Sequence, residues 1–380
     1  MSSSLSASIL DFLEPVDKLA LSGDEGYRDL QIGSRIAVYE TDFPQIDHAD
    51  IVLVGCDESG GNGGDPQVFS PSNAIRKQFY QLYHWHEEVI VADAGNIKAG
   101  ATLKDSYAAL KYVVKELIAL GKRVVILGGS HDLTLPQYEV FASLEKIIEM
   151  TCADARIDMD IESRIPSEYF LMPLLTGQPN FVRHYNHIGF QSFLVHPAML
   201  ETIDKLRFDC YRVGTVKEDI EIMEPVIRNS HLFSFDISAI QHCYAPANRL
   251  TPNGFTGEEA CRLMQFAGMS TNVKSIGIYG YDPGYDEQEL TAKQISQMLW
   301  YTMDGIKTGK QEAVLSERSA FSEFHLVFAE METVFLQSKK TGRWWMQLPD
   351  GKYIASSQYD YILACNNEIP ERWLRAVERS

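Results

Sequence analysis

No two of the six cysteines form a CxxC pair; Cys56, Cys152, Cys210, Cys243, Cys261 and Cys365 are scattered, most of them in apolar runs. That spacing offers neither a zinc ribbon nor a disulfide framework, and it predicts reduced core thiols in a cytoplasmic protein. Basic runs are missing too. The chain has 34 Lys and Arg against 52 Asp and Glu, a formal net charge of −18. Neither nucleic acid nor an anionic membrane is therefore expected as a partner. No apolar stretch approaches the ~20 residues of a membrane span. Met1–Ser8 carries no Lys or Arg and no long apolar core, so no signal peptide is expected there. The glycine-rich stretch Asp57–Asp65 lacks the spacing of a P-loop or a GxGxxG turn.

What the chain does have is a series of short apolar runs alternating with helical patterns. Ile51–Gly55, Arg123–Leu127, Ile147–Ala153, His187–Phe190, Asp209–Val213, Leu232–Ser238 and Ser275–Tyr279 read as strands. Ser70-Pro-Ser-Asn opens a helix with polar caps and an early proline. Further helices are expected over about 10–21, 105–120, 257–269, 287–308 and 370–378. Alternation of this kind predicts an α/β fold of three layers around a mainly parallel sheet. The pattern changes after residue 314. Glu332–Gln347 reads as a hairpin turning at Lys339-Lys-Thr-Gly342, with Trp344 and Trp345 as packing residues. Residues 1–314 are thus expected to form the α/β domain and 315–380 a C-terminal appendage with a β-hairpin.

In parallel sheets of this kind the site lies beyond the carboxyl ends of the strands. His131, Asp154, Asp158 and Asp236 all stand at such ends. Asp154, Arg156 and Asp158 alternate along an extended segment and are expected to face one spot. Carboxylates so close need a cation between them, either a divalent metal or the Arg156 guanidinium. One His with several Asp suits manganese; buried salt bridges are the plain alternative. His184, His187 and His196 are expected to be structural, and His242 is a candidate to fill a gap in a ligand set.

These segments together resemble the arginase/agmatinase/formimidoylglutamase family of ureohydrolases. Val52-Leu-Val-Gly-Cys and Ser70-Pro-Ser-Asn-Ala-Ile-Arg76 are similar to its opening strand and helix, Gly128-Gly-Ser-His131 to its GGxH, and Asp154-Ala-Arg-Ile-Asp158 to its DAHxD. Ser234–Pro246 resembles its SxDxDxxDPxxAP, and Tyr281-Asp-Pro283 with Asp286, Thr291 and Ala292 its last motif. Asn62-Gly-Gly64 leans towards the formimidoylglutamase branch. The resemblance runs over about residues 50–310. It implies two manganese ions held by two His and four Asp, and hydrolysis of a guanidine or amidine C–N bond. It also implies a homo-oligomer, since family members often form trimers or hexamers.

The departures from that pattern decide the expected function. His131, Asp154, Asp158 and Asp236 match one metal position. The second needs a further His and Asp, and the chain has Arg156 and Ser238 there. Gly280 stands where the family places a substrate-binding Glu, and Gln241-His242 replaces its DP. Arginine has no lone pair to donate, so a two-manganese cluster is not expected. One manganese ion or none remains, and with it an impaired or non-catalytic family member. Two alternatives stay open. One is a one-metal hydrolase of linear amidine or formimidoyl substrates in which Asp158 orients water. The other is a protein that binds an anionic small molecule through Arg156.

Overall fold

The structure is a computed structural model that describes residues 7–378 apart from 24, 64–68 and 329. Met1–Ser6, Gly64 and Asp65, which the sequence reading touches, lie outside the described residues. The strands in chain order are β1 (Leu13–Glu14), β2 (Ala37–Val38), β3 (Ile51–Gly55), β4 (Val91–Ile97), β5 (Arg123–Leu127), β6 (Ile148–Ala153) and β7 (Val182–Phe190). They continue with β8 (Asp209–Arg212), β9 (Leu232–Asp236), β10 (Ser275–Tyr279), β11 (Phe321–Phe328), β12 (Met331–Ser338), β13 (Trp344–Gln347) and β14 (Tyr353–Ser356).

Among the described residues, β1 to β10 form one sheet in the order β1-β4-β3-β5-β10-β9-β6-β7-β8, with β2 also on β4. Only β1 runs antiparallel to its neighbour. Alternation along the strands feeds two cores. Ile51 and Leu53 pack into one with helices Pro71–Phe79, Gly257–Met269 and Leu290–Lys310. Val52 and Val54 pack into the other with Leu103–Ala119 and Thr134–Ser143. This is the expected three-layer α/β arrangement. The helices start where their caps dictate: Ser70 accepts from Asn73 N–H, and Thr102 closes a capping box with Asp105, each worth about 1 kcal/mol.

Three expectations need correction. The helix expected over 10–21 is instead a 3₁₀ turn, Ala7–Phe12, followed by β1, because Pro15 cannot continue a helix. β4 was not anticipated: its sequence VADAGNI hides a buried strand behind polar residues. Asp93 is tolerated there because buried Arg76 pairs with it at 2.7 Å. The C-terminal hairpin, β12 and β13, is the middle of a four-stranded antiparallel sheet, β11-β12-β13-β14. Trp344 stacks on Tyr361 at 4.9 Å between centroids, and Trp345 meets Phe321 edge-on at 5.5 Å. Both tryptophans are packing residues.

Candidate active site

Four adjacent strands, β5, β10, β9 and β6, bring their carboxyl ends together. β5 runs into Gly128 and Gly129, at φ +119° and +51°, a turn that glycine makes without strain. A Cβ on Gly129 would lie 2.5 Å from the Glu58 carbonyl oxygen and 2.7 Å from that of Cys56. The turn sets His131 on a single 3₁₀ turn at the mouth of the sheet. Asp154 follows β6 directly, and Asp236 is the last residue of β9.

The imidazole is the centre of the cluster. His131 Nδ1 lies 2.8 Å from Asp158 Oδ2, 3.2 Å from Asp154 Oδ2 and 3.9 Å from Asp236 Oδ2. Its other nitrogen, Nε2, is 3.1 Å from Ser234 Oγ, which bonds Thr134 Oγ1 at 2.6 Å. The ring also packs edge-on against Phe170 at 4.8 Å. Ring orientation is thus fixed from behind, in the way that outer partners orient metal-ligating histidines. The ligand atoms of His131, Asp154 and Asp158 all lie within 4.8 Å of one another.

Charge in the cluster is shared rather than uniform. Burial alone would lower the His131 pKa, but its bonds to Asp154 and Asp158 hold it well above the usual imidazole range. Burial also opposes the Asp154 charge, yet His131 keeps that carboxyl below the usual carboxylate range. Burial, and next the charge of Asp154, raises Asp158, and the same two causes raise Asp236 to about 6. Without a metal, His131 thus favours the charged form of Asp154, while burial and the Asp154 charge bias Asp158 and Asp236 towards their protonated forms.

Arg156 does not supply that cation. Its guanidinium pairs with Glu168 at 3.2 Å, and among the described residues this is its only ion pair. Only its backbone N–H reaches the cluster, donating to Asp154 Oδ1 at 3.1 Å. Asp154, Arg156 and Asp158 do line one cavity, but not through strand alternation, because β6 ends at Ala153, and the guanidinium turns to Glu168 and not to the aspartates. The chain turns there, so strand alternation no longer applies. Ser238 does meet the cluster: its hydroxyl donates to Asp154 Oδ1, and its N–H donates to Asp236 Oδ1 at 2.8 Å.

Gly280 has φ +80°, and a Cβ there would lie 2.4 Å from Asp236 Oδ2. His242 donates through Nδ1 to the Asn248 carbonyl at 2.8 Å and takes no place in the cluster. His187 is buried, with its pKa pushed down to about 4 by desolvation, and donates to the Asp154 carbonyl at 3.1 Å. Two contributions escaped the sequence reading. Ser234 precedes Asp236 by two residues on β9, so strand alternation could have placed it on the same side. Arg249, by contrast, carries no sequence signal. It lines the same cavity as Arg156, with its guanidinium 4.0 Å from the centroid of the Tyr285 ring. That cavity, about 200 Å³, is also lined by His131 and the three aspartates.

The chain is similar to several known proteins. An agmatinase from Escherichia coli is 22% identical over 248 residues, covering 62% of this chain and 78% of that one. A formiminoglutamase from Trypanosoma cruzi, crystallised with Mn2+, aligns with a TM-score of 0.63 at 18% identity, over 70% of this chain and 99% of the other. The formimidoylglutamase of Bacillus subtilis gives 0.65 at 17% identity, over 78% and 97%. At these identities the structures speak for the fold alone. The sequence profile of the Arginase family matches residues 49–304, a span that takes in β3 to β10 and every residue of the His131 cluster, and the chain belongs to that family.

Proposed function

We propose that this family member has a reduced metal site, holding one divalent cation or none, and that it is impaired as a ureohydrolase or non-catalytic. The observation that carries this reading is the state of Asp154 Oδ1. It accepts from the Ser238 hydroxyl and from the Arg156 N–H, while the Arg156 side chain points to Glu168. A second ion held in the family manner would share Asp154 and Asp236 and would need a His and an Asp at positions 156 and 238. Guanidinium cannot ligate, and a neutral hydroxyl is a weak ligand for a hard cation. The residues present do not fit that second ion.

They do fit one. One imidazole nitrogen with three carboxylates, already gathered around Nδ1, is a donor set that manganese accepts. Bound there, the cation would polarise an amidine or activate water. This supports the second reading, a one-metal hydrolase of C–N bonds in linear amidine or formimidoyl substrates. In it Asp158 would orient the water, and the absence of a carboxylate at Gly280 would disfavour arginine and agmatine. A third reading, capture of an anionic small molecule, draws on the two guanidiniums at the cavity wall, Arg156 and Arg249.

The deciding measurement is elemental analysis after manganese loading, paired with an assay on formimidoyl and guanidino substrates. The expected result is at most one ion per chain without turnover. Two ions per chain would overturn the reduced-site reading. One ion with turnover would establish the one-metal hydrolase instead.

A further inference from the structure

A second polar recess, of about 280 Å³, lies at the opposite edge of the sheet, where β5 and β10 begin. β5 is five residues long, so the two sites stand roughly 15 Å or more apart at about 3.3 Å per residue. Arg123, Lys274 and Lys310 line this recess, with Asp50 as its one acid.

The first task of these cations is to cap helices. Arg123 Nε donates to the Val273 carbonyl at 3.0 Å, one terminal nitrogen to that of Gly268 at 2.8 Å, and the other to that of Ser270. Lys274 donates to the Thr271 carbonyl at 2.9 Å. These carbonyls close the helix Gly257–Met269 and the turn after it, and cations belong at helix carboxyl ends. Capping does not use up the cations, however. A guanidinium has five N–H groups and an ammonium three. Among the described residues, two of the Arg123 donors and two of the Lys274 donors are left without a protein acceptor.

Charge is in surplus as well. Asp50 is committed to Lys310 at 2.7 Å. Among the described residues, neither Arg123 nor Lys274 has a carboxylate within 4.0 Å. Burial pushes Arg123 down to about 10, and burial followed by the Arg123 charge lowers Lys274. Two like charges thus face one concavity in a chain whose net charge is −18. A local excess of this kind focuses anions.

We propose that this recess binds the phosphate group of a small anion, with the unused N–H groups of Arg123 and Lys274 as donors. A phosphate offers acceptors in several directions, which suits donors arriving from two side chains better than the single plane of a carboxylate. The proposal does not depend on the reading of the His131 cluster.

The test is isothermal titration of the metal-free full chain with inorganic pyrophosphate at low ionic strength, and separately with citrate. It is made on the wild type and in an Arg156→Gln, Arg249→Gln background that removes the other anion-attracting guanidiniums. The expected result in both is one saturable site for pyrophosphate. Adding Lys274→Gln should weaken it at least tenfold, and Lys274→Arg should keep it. Arg123 is left intact because it caps a helix, and thermal melts check that each variant is folded. The proposal is overturned if no saturable heat appears, if Lys274→Gln changes nothing, or if binding vanishes in the Arg156→Gln, Arg249→Gln background. Binding of citrate but not of pyrophosphate would also overturn it.

Discussion

The guanidinium of Arg156 lies 3.2 Å from Glu168 Oε1 and makes no ion pair with Asp154 or Asp236. A residue that could have neutralised the aspartates is instead engaged at the cavity wall. Its partner in the departure, Ser238, takes over Asp154 Oδ1. The two positions act on the same carboxylate, so they should be tested together.

Arg156→His combined with Ser238→Asp should admit a second manganese ion. The double variant removes a fixed positive charge, adds one imidazole and one carboxylate, and frees Asp154 Oδ1. Manganese content by elemental analysis is expected to rise by one ion per chain over the wild type. Each single variant should give less than that, since neither supplies both missing donors.

Manganese should stabilise the chain more at pH 8 than at pH 6. The sign follows from the protons in the metal-free cluster. His131 is raised, so its contribution to stability is full below about 6.5 and is lost as pH rises through its folded value. Asp236 is raised to about 6 and Asp158 is raised too, so the folded state also holds extra protons above about 3.9, and stability again falls with rising pH. Asp154 is lowered; its contribution is present above the ordinary carboxylate range and lost only in acid. A metal ion needs all four groups deprotonated. Melts with and without manganese should therefore diverge as pH rises, and His131→Asn should abolish most of that divergence.

Gly280→Ala should destabilise without helping metal binding. The position has φ +80°, and its Cβ would lie 2.4 Å from Asp236 Oδ2. Both the backbone conformation and the contact count against any side chain, at a cost of about 1–3 kcal/mol. Gly280→Glu should lose at least as much, so restoring the family's carboxylate here requires more than one substitution. Denaturant midpoints of the three proteins, read beside their manganese content, check this.

The central strands were legible because burial on both faces makes them wholly apolar, as in Ile51–Gly55 and Ser275–Tyr279. β4 and the first half of β7 were not, because their polar residues are paired across the fold. Asp93 is paired with Arg76, and His184 bonds Asp209 at 2.8 Å. No local pattern encodes such pairs. At the site, His131, Asp154, Asp158 and Asp236 were legible as strand-end residues, since a parallel sheet must gather such ends. The direction of Arg156 was not. It depends on where β6 stops and on Glu168, twelve residues further along. Arg249 was invisible for the same reason: a loop, not a periodic element, delivers it.

Arg228→Ala should cost about 3–5 kcal/mol and lower one shared unfolding transition. Arg228 lies in the helix Met223–Asn229, which packs against β14. It is buried and donates to the carbonyls of Trp344 and Ser356 at 2.7 and 3.1 Å. It also pairs with Glu224 at 3.1 Å and lies 4.3 Å from the centroid of the Trp345 ring. Arg343 answers from the other side, 2.9 Å from Glu312 and 3.7 Å from Glu224. Removing one member of such a buried network leaves Glu224 charged without its main partner, which is the costly case. The small sheet packs its apolar residues in clusters of its own around Trp344 and Trp345, so this buried polar network is what couples it to the α/β layers. In a Trp85→Phe, Trp300→Phe background, tryptophan fluorescence, which then reports Trp344, Trp345 and Trp373, should therefore lose its signal in urea together with far-ultraviolet circular dichroism. Two separated transitions in the wild type would mean that residues 315–380 fold as a unit of their own.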